Sequence, residues 1–270
     1  MNPLVSVVIS LVAWVGTMLF IASVVMVGPR RLYGLWDNGL ETLRAARYPI
    51  AFLVGVVALS AVGRGALAML SAIVGVQLTG TIHAIEGNFV AWLQATFVTP
   101  ELTIYFSWVY VHGYIFLLVF PFLAYAALPK PVMFKRLLCA YALNYGIGLI
   151  VYTIVFAHGP RNIMPDLVTS LLYTYNPDYQ ALTTEVNENT NVFPSLHTSL
   201  AVTAALFAGL TRDEYPLWLP IAAWLALSVM IATMYLGIHW LIDVIGGIML
   251  AVGSVYLAYR LVDDETESGA

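Results

Sequence analysis

Long apolar stretches, each separated from the next by charged and turn residues, dominate the chain. They fall near residues 4–27, 49–78, 103–128, 135–157, 194–210, 217–235 and 240–260. A run of roughly 20 apolar residues crosses a hydrocarbon layer of ~30 Å as a helix. Inside that layer a helix satisfies its own backbone hydrogen bonds. The pattern therefore predicts an all-α, polytopic membrane helical bundle, built as a single integral membrane domain over 1–270. The first stretch has no charged segment before it and no small-residue cleavage pattern after it, so it is expected to be a retained span. The second contains Gly63-Arg64-Gly65 and reads as one span, or as a shorter span followed by a kinked or re-entrant piece. Arg64 is expected to pair with a carbonyl or with Glu86. Between the second and third stretches, 79–100 mixes His83, Glu86, Asn88 and Gln94 with Ile85, Phe89, Trp92 and Leu93. That mixture predicts an amphipathic helix lying in the membrane interface, a candidate lateral wall where acyl chains enter.

Composition agrees and narrows the class. Of 270 residues, 61% are hydrophobic and 10% charged, and the mean hydropathy is +0.86, whereas soluble domains carry about 25% charged residues. A net charge of −4 with eleven scattered basic residues gives no nucleic-acid footprint. The lone cysteine, Cys139, is expected to be a small buried hydrophobe. Arg30, Arg31, Arg44, Arg47, Lys130, Lys135, Arg136, Arg212 and Arg260 all fall in alternate loops. By the positive-inside rule that side is cytoplasmic, which predicts a multi-pass protein of the cell membrane with its amino terminus outside and its carboxyl terminus in the cytoplasm. Arg161 alone stands in an outer loop. That loop, 158–193, is the longest non-apolar stretch and carries Asp166, Asp178, Glu185 and Glu188. It is expected to form a structured cap.

Three polar clusters share the outer end of the predicted bundle. They are Gly159-Pro160-Arg161-Asn162 after the fourth span, Phe193-Pro194-Ser195-Leu196-His197-Thr198-Ser199 where the fifth begins, and Gly237-Ile238-His239-Trp240-Leu241-Ile242-Asp243 where the seventh begins. Taken singly each has a plain structural reading: a snorkelling arginine, a helix cap, interfacial histidines. Together they suit phosphoryl transfer. His239 and Asp243 are four apart on a helix, so the carboxylate can hold one imidazole nitrogen and leave the other as nucleophile. His197 is the candidate acid for the departing alkoxide. Arg161, with the Ser195 hydroxyl and the amides that follow Pro194, supplies donors for phosphoryl oxygens. This arrangement needs no metal or other cofactor, although a metal site on His197, His239 and Asp243 is a rival reading. His112 and Asn144, in the third and fourth spans, are expected to line a cleft or to satisfy each other.

The second and third clusters, Phe193-Pro194-Ser195-Leu196-His197 and Gly237-Ile238-His239-Trp240-Leu241-Ile242-Asp243-Val244-Ile245-Gly246-Gly247, resemble the type 2 phosphatidic acid phosphatase superfamily, which includes the vanadium haloperoxidases. Within it the chain is most similar to the branch of inositolphosphorylceramide synthase and related inositolphosphotransferases. The resemblance covers roughly 155–250. It implies a six-helix core, a phosphohistidine on His239, His197 as acid and then base, and Asp243 as orienter. The phosphatase branch usually has a lysine where this chain has Ile154, a proline where it has Asn162, and Ser-Arg where it has Ala232 and Thr233. Two phosphate-binding cations are thus replaced, and Tyr235 and His158 are candidate accessory donors.

The expected activity is that of a membrane enzyme acting at the outer face on a phospholipid or lipid phosphate, with water or an alcohol or polyol as acceptor. The replaced cations tilt the expectation toward headgroup transfer. The rival from another class is a non-catalytic lipid transporter or headgroup-binding protein.

Overall fold

The computed structural model describes residues 3–180 and 192–263. In chain order the elements are α1 (Pro3–Ala22) with a π-helical turn at Ser23–Val27, α2 (Pro29–Ala45), α3 (Arg47–Val74), strand β1 (Val76–Gln77), α4 (Thr79–Glu86) and α5 (Phe89–Phe97). Then come α6 (Pro100–Trp108), continuing through a π segment at Val109–Gly113 into α7 (Tyr114–Ala126), α8 (Val132–Ile154), β2 (Val155–Phe156), α9 (Pro160–Ile163) and α10 (Leu171–Tyr175). The last three are α11 (Leu196–Leu210), α12 (Trp218–Tyr235) and α13 (Leu241–Leu261). The protein is an all-α membrane bundle. Among the described residues five helical segments are long and apolar enough to cross a membrane: 4–27, Pro100–Ala126, α8, α12 and α13. A sixth is added if α2 and the first part of α3, bent by 72°, count as one span. Their outward faces are apolar, as Val12, Phe20 and Val62 show, which lipid tolerates and water does not.

Helix α11 occupies the centre and packs against α7, α8, α12 and α13, while α3 lies along α8 and α1 flanks α7. Phe116, Phe120, Phe207 and Trp218 fill one part of the core, with the Phe120 and Trp218 rings 4.6 Å apart. The buried Asn144 of α8 clamps α11. Its amide nitrogen donates to the Ala140 carbonyl at 2.8 Å and to Thr203 Oγ1 at 3.1 Å, and its oxygen accepts from the Ser199 hydroxyl. His112 is elsewhere, its Nε2 3.3 Å from Ser10 Oγ of α1. The two polar residues therefore have separate partners and do not satisfy each other.

The bundle has two chemically distinct ends. At one, Arg31 pairs with Glu214 at 2.5 Å, Arg136 donates to the Val262 carbonyl at 3.1 Å and the Tyr215 hydroxyl to the Ala124 carbonyl at 2.6 Å. At the other, β1 and β2 pair in parallel, Val76 with Val155 and Gln77 with Phe156, so α3 and α8 run the same way and finish together. Helix α11 has 15 residues, roughly 22 Å at 1.5 Å per residue. Its far end is fixed by Thr211, which donates to the Tyr125 hydroxyl at 3.2 Å. A helix of that length falls short of a ~30 Å hydrocarbon layer. Its first turn carries the buried Ser195 and the half-buried His197.

Two sequence expectations change. The interfacial segment 79–100 is two helices, broken at Gly87 and Asn88. The stretch 29–45, read as a loop, is helix α2, whose Leu32, Trp36, Leu40 and Leu43 recur at helical spacing, so it is an amphipathic helix. In the cap, Met164, Val168, Leu171 and Leu172 are buried, so 158–180 is packed structure. Glu185, Glu188 and the Arg64 side chain lie outside the described residues.

Candidate active site

The third cluster builds a helix start. Gly237 has φ +73°, a left-handed conformation that glycine adopts without steric cost, and the chain there reverses out of α12. The Ile238 and His239 amides both donate to the Thr233 carbonyl at 3.0 Å, which fixes His239 just before α13. Asp243 follows in the first turn of α13 and reaches back. Its Oδ2 accepts from the Trp240 amide at 2.8 Å and lies 3.4 Å from His239 Nδ1. Both side chains are buried. With Nδ1 turned to the carboxylate, Nε2 is the nitrogen left for chemistry.

The second cluster starts α11. Ser195 is the N-cap, its hydroxyl oxygen accepting from the Thr198 amide at 3.3 Å, and its own amide donates to the Asp243 carbonyl at 3.0 Å. That bond ties the two histidine motifs together. Gly247 of α13 lies so close to α11 that a Cβ there would stand 2.5 Å from the Ser195 carbonyl oxygen. His197 is half-buried between two aromatic rings, Tyr110 and Tyr114, each with its centroid 4.6 Å away. Its ring centroid is 6.3 Å from that of His239.

The first cluster closes the group. The Arg161 amide donates to the Gly237 carbonyl at 3.2 Å, and Trp240 Nε1 donates to the His158 carbonyl at 2.9 Å. The guanidinium lies 4.9 Å above the Tyr173 ring, and its Nη2 donates to the Tyr173 hydroxyl at 3.4 Å. Its Nη1 is buried with no hydrogen-bond partner among the described residues. Backbone bonds thus hold His239, Asp243, His197, Ser195 and Arg161 at one end of the bundle.

The family model of the PAP2 superfamily matches residues 76–257, more than half of the chain. The chain belongs to the PAP2 superfamily. That superfamily generally comprises phosphoesterases, which puts this PAP2 protein in the class of phosphatase-type membrane enzymes. No curated protein and no solved structure matches it.

Some candidate residues of the PAP2 protein are used differently from the sequence expectation. The Tyr235 hydroxyl bonds Thr103 Oγ1 at 2.9 Å and donates to the Thr99 carbonyl at 3.3 Å, so it caps α6 and does not turn toward His239. His158 supports Trp240 through its carbonyl, and its ring packs edge-on against Phe156. The Ser195 hydroxyl oxygen is engaged as a cap, which leaves its proton as the donor. Among the described residues no group of three or more His, Cys, Asp and Glu is placed to hold a metal ion.

Other contributors escaped the sequence reading. Tyr110 lies in the π segment, a wider turn that changes which face a side chain presents, and this aims it at His197. Gln94 is buried and holds the cap. It donates to the Thr169 and Tyr235 carbonyls at 2.9 Å each and accepts from the Thr169 amide at 2.8 Å. Glu86 accepts from the Leu241 and Ile242 amides at 2.9 and 3.1 Å, at the start of α13.

Proposed function

We propose that this PAP2 protein is an integral membrane lipid phosphatase or phosphotransferase whose reaction passes through a phosphohistidine on His239. The observation that carries the proposal is the facing pair of imidazoles, 6.3 Å between centroids, with the Asp243 carboxylate behind one ring. Reacting and proton-transferring atoms need separations of about 3 Å, so one phosphoryl group fits between the rings. His239 Nε2 attacks phosphorus while the bond from phosphorus to the lipid alcohol oxygen breaks. His197 gives its proton to the departing alkoxide. His197 then takes a proton from the incoming water or alcohol, whose oxygen attacks phosphorus and breaks the P–N bond, returning both histidines to their starting forms. Asp243 stabilises the imidazolium that forms on His239.

Arg161 supports the same reading. A buried donor without a partner costs about 1–3 kcal/mol, more when charged, and a phosphoryl oxygen offers Nη1 the acceptor it lacks. Transfer is favoured over hydrolysis of a monoester, in the manner of the inositolphosphotransferase branch. Where the phosphatase pattern has a lysine and an arginine, this chain has Ile154, exposed on its outer surface, and the buried Thr233. A single guanidinium suits a phosphodiester, which carries less charge than a monoester, and a polyol or lipid alcohol is then the acceptor. The distribution of basic residues supports a site at the outer face of the cell membrane, with the amino terminus outside.

The test is turnover of a panel of lipid phosphates and phosphodiesters by the purified protein, with and without alcohol acceptors, followed by acid-sensitive trapping of labelled phosphate on the protein. Product and an acid-labile adduct that vanish in His239→Ala are expected. Full turnover in His239→Ala overturns the mechanism. Headgroup binding with no turnover of any lipid leaves a transport or binding protein.

A further inference from the structure

We infer that Glu86 is a positioning residue for the histidine pair, a carboxylate supplied from α4 that clamps the first turn of α13. This rests on the function proposed for that site. Its Oε1 accepts from the Leu241 amide at 2.9 Å and its Oε2 from the Ile242 amide at 3.1 Å. These are the first two amides of the helix, and a helix leaves its first amides without internal acceptors. The third position is Asp243, whose Oδ2 takes the Trp240 amide at 2.8 Å. Two carboxylates therefore take the Trp240, Leu241 and Ile242 amides at this helix start, Glu86 from outside the helix and Asp243 from within.

Two consequences follow for the reaction. The first concerns position. His239 immediately precedes the clamped turn and Asp243 lies within it, so fixing the Leu241 and Ile242 amides fixes the separation between imidazole and carboxylate, and the direction in which the nucleophilic nitrogen points. The second concerns where phosphate goes. A helix N-terminus is a ready anion site, and here it is filled by the protein's own carboxylate. The substrate's negative group is thereby directed to Arg161 and the start of α11. Burial holds the Glu86 carboxyl above the ordinary glutamate value, against the two amide donors that pull it down. The aromatic neighbourhood belongs to the same support, since the His83 ring, one turn before Glu86, packs 5.8 Å from the Trp240 ring.

The experiment compares the parent with Glu86→Gln and Glu86→Ala in the full-length protein. It measures kcat and KM per folded molecule and hydrogen exchange at the Leu241 and Ile242 amides. Misplacing reacting groups by about 1 Å costs roughly a hundredfold in rate. Glu86→Ala is therefore expected to lower kcat about 30- to 100-fold with KM within about threefold. Glu86→Gln keeps one oxygen acceptor and is expected to recover part of that loss. Exchange at both amides should accelerate at least about tenfold in Glu86→Ala, because their acceptor is gone. A lowered yield of folded protein with unchanged kcat per folded molecule overturns the positioning role. Unchanged exchange overturns the clamp itself. If the parent turns over no lipid phosphate, it is the proposed function that fails, and the exchange measurement still decides whether Glu86 holds the helix start.

Discussion

The close approach of α13 to the start of α11 gives the sharpest structural prediction. A Cβ at Gly247 would stand 2.5 Å from the Ser195 carbonyl oxygen, 2.9 Å from Thr198 Cβ and 3.1 Å from Thr198 Cγ2. An ordinary contact begins near 3.4 Å, so Gly247→Ala must push α11 and α13 apart by about 1 Å. The obstructing atom is a backbone carbonyl oxygen and has no rotamer to escape into. Overpacking of this kind costs typically 1–3 kcal/mol. The same displacement separates His197 from His239, and about 1 Å of misplacement lowers a rate roughly a hundredfold. Gly253→Ala on the same helix is the matched control, because nothing lies within 4 Å of a Cβ there and alanine is a better helix former by about 1 kcal/mol. Thermal unfolding in detergent should therefore rank Gly253→Ala at or above the parent and Gly247→Ala below it, with turnover lost only in the latter. Equal midpoints for the two variants would refute the close approach of α11 and α13.

Asp243→Asn retains an oxygen for the Trp240 amide but removes the charge behind His239. A loss of about 2–4 kcal/mol of transition-state stabilisation, roughly 30- to 1000-fold in kcat, is expected, and an unchanged kcat would remove Asp243 from the mechanism. Tyr235→Phe should cost about 1 kcal/mol of stability through its bonds to Thr99 and Thr103 and leave KM for the lipid unchanged; a KM rise of tenfold would restore Tyr235 as a phosphate donor. The raised Glu86 carboxyl makes stability depend on pH. Its contribution is complete below the ordinary value of 4.5 and is lost as pH rises through the raised folded value, because the unfolded chain ionises first. The unfolding midpoint of the parent relative to Glu86→Gln should fall as pH rises above 4.5, and a difference that grows with pH would contradict the sign.

The membrane class and the three clusters were legible because charge is scarce in this chain. An ionisable group within an apolar run is costly unless partnered or used, so His239 and Asp243 stood out, and two spans between the histidine motifs return the chain to the same face. What was not legible depends on partners distant in sequence. Glu86 meets amides 155 and 156 positions away, and nothing in its own amphipathic segment marks it for that role. Tyr235 stands four residues before His239, yet its hydroxyl bonds Thr99 and Thr103. The reversal at Gly237 takes His239 out of the path of α12, and Tyr235 is left facing α6. The π segment at Val109–Gly113 likewise changes which side chains face α11, and an apolar run gives no sign of such a turn. Helix α2 was missed for a different reason: its stripe was present in the sequence, but its charged residues drew the reading toward a loop.

The geometry also explains why the motifs contain small and apolar residues beside the reactive ones. Main-chain groups make the bonds that join the clusters, Ser195 to Asp243 and Arg161 to Gly237. A main-chain bond between elements requires backbones to meet, and backbones meet only where side chains are absent or turned away. Gly247 supplies that approach between α11 and α13. Gly237 supplies the reversal that offers its carbonyl to Arg161, at a point where a Cβ would also stand 2.8 Å from Val168 Cγ1 of the cap. Substituting either glycine removes no ionisable group, yet by this argument each change should lower turnover as severely as loss of Arg161, because it moves the frame on which the ionisable groups are mounted.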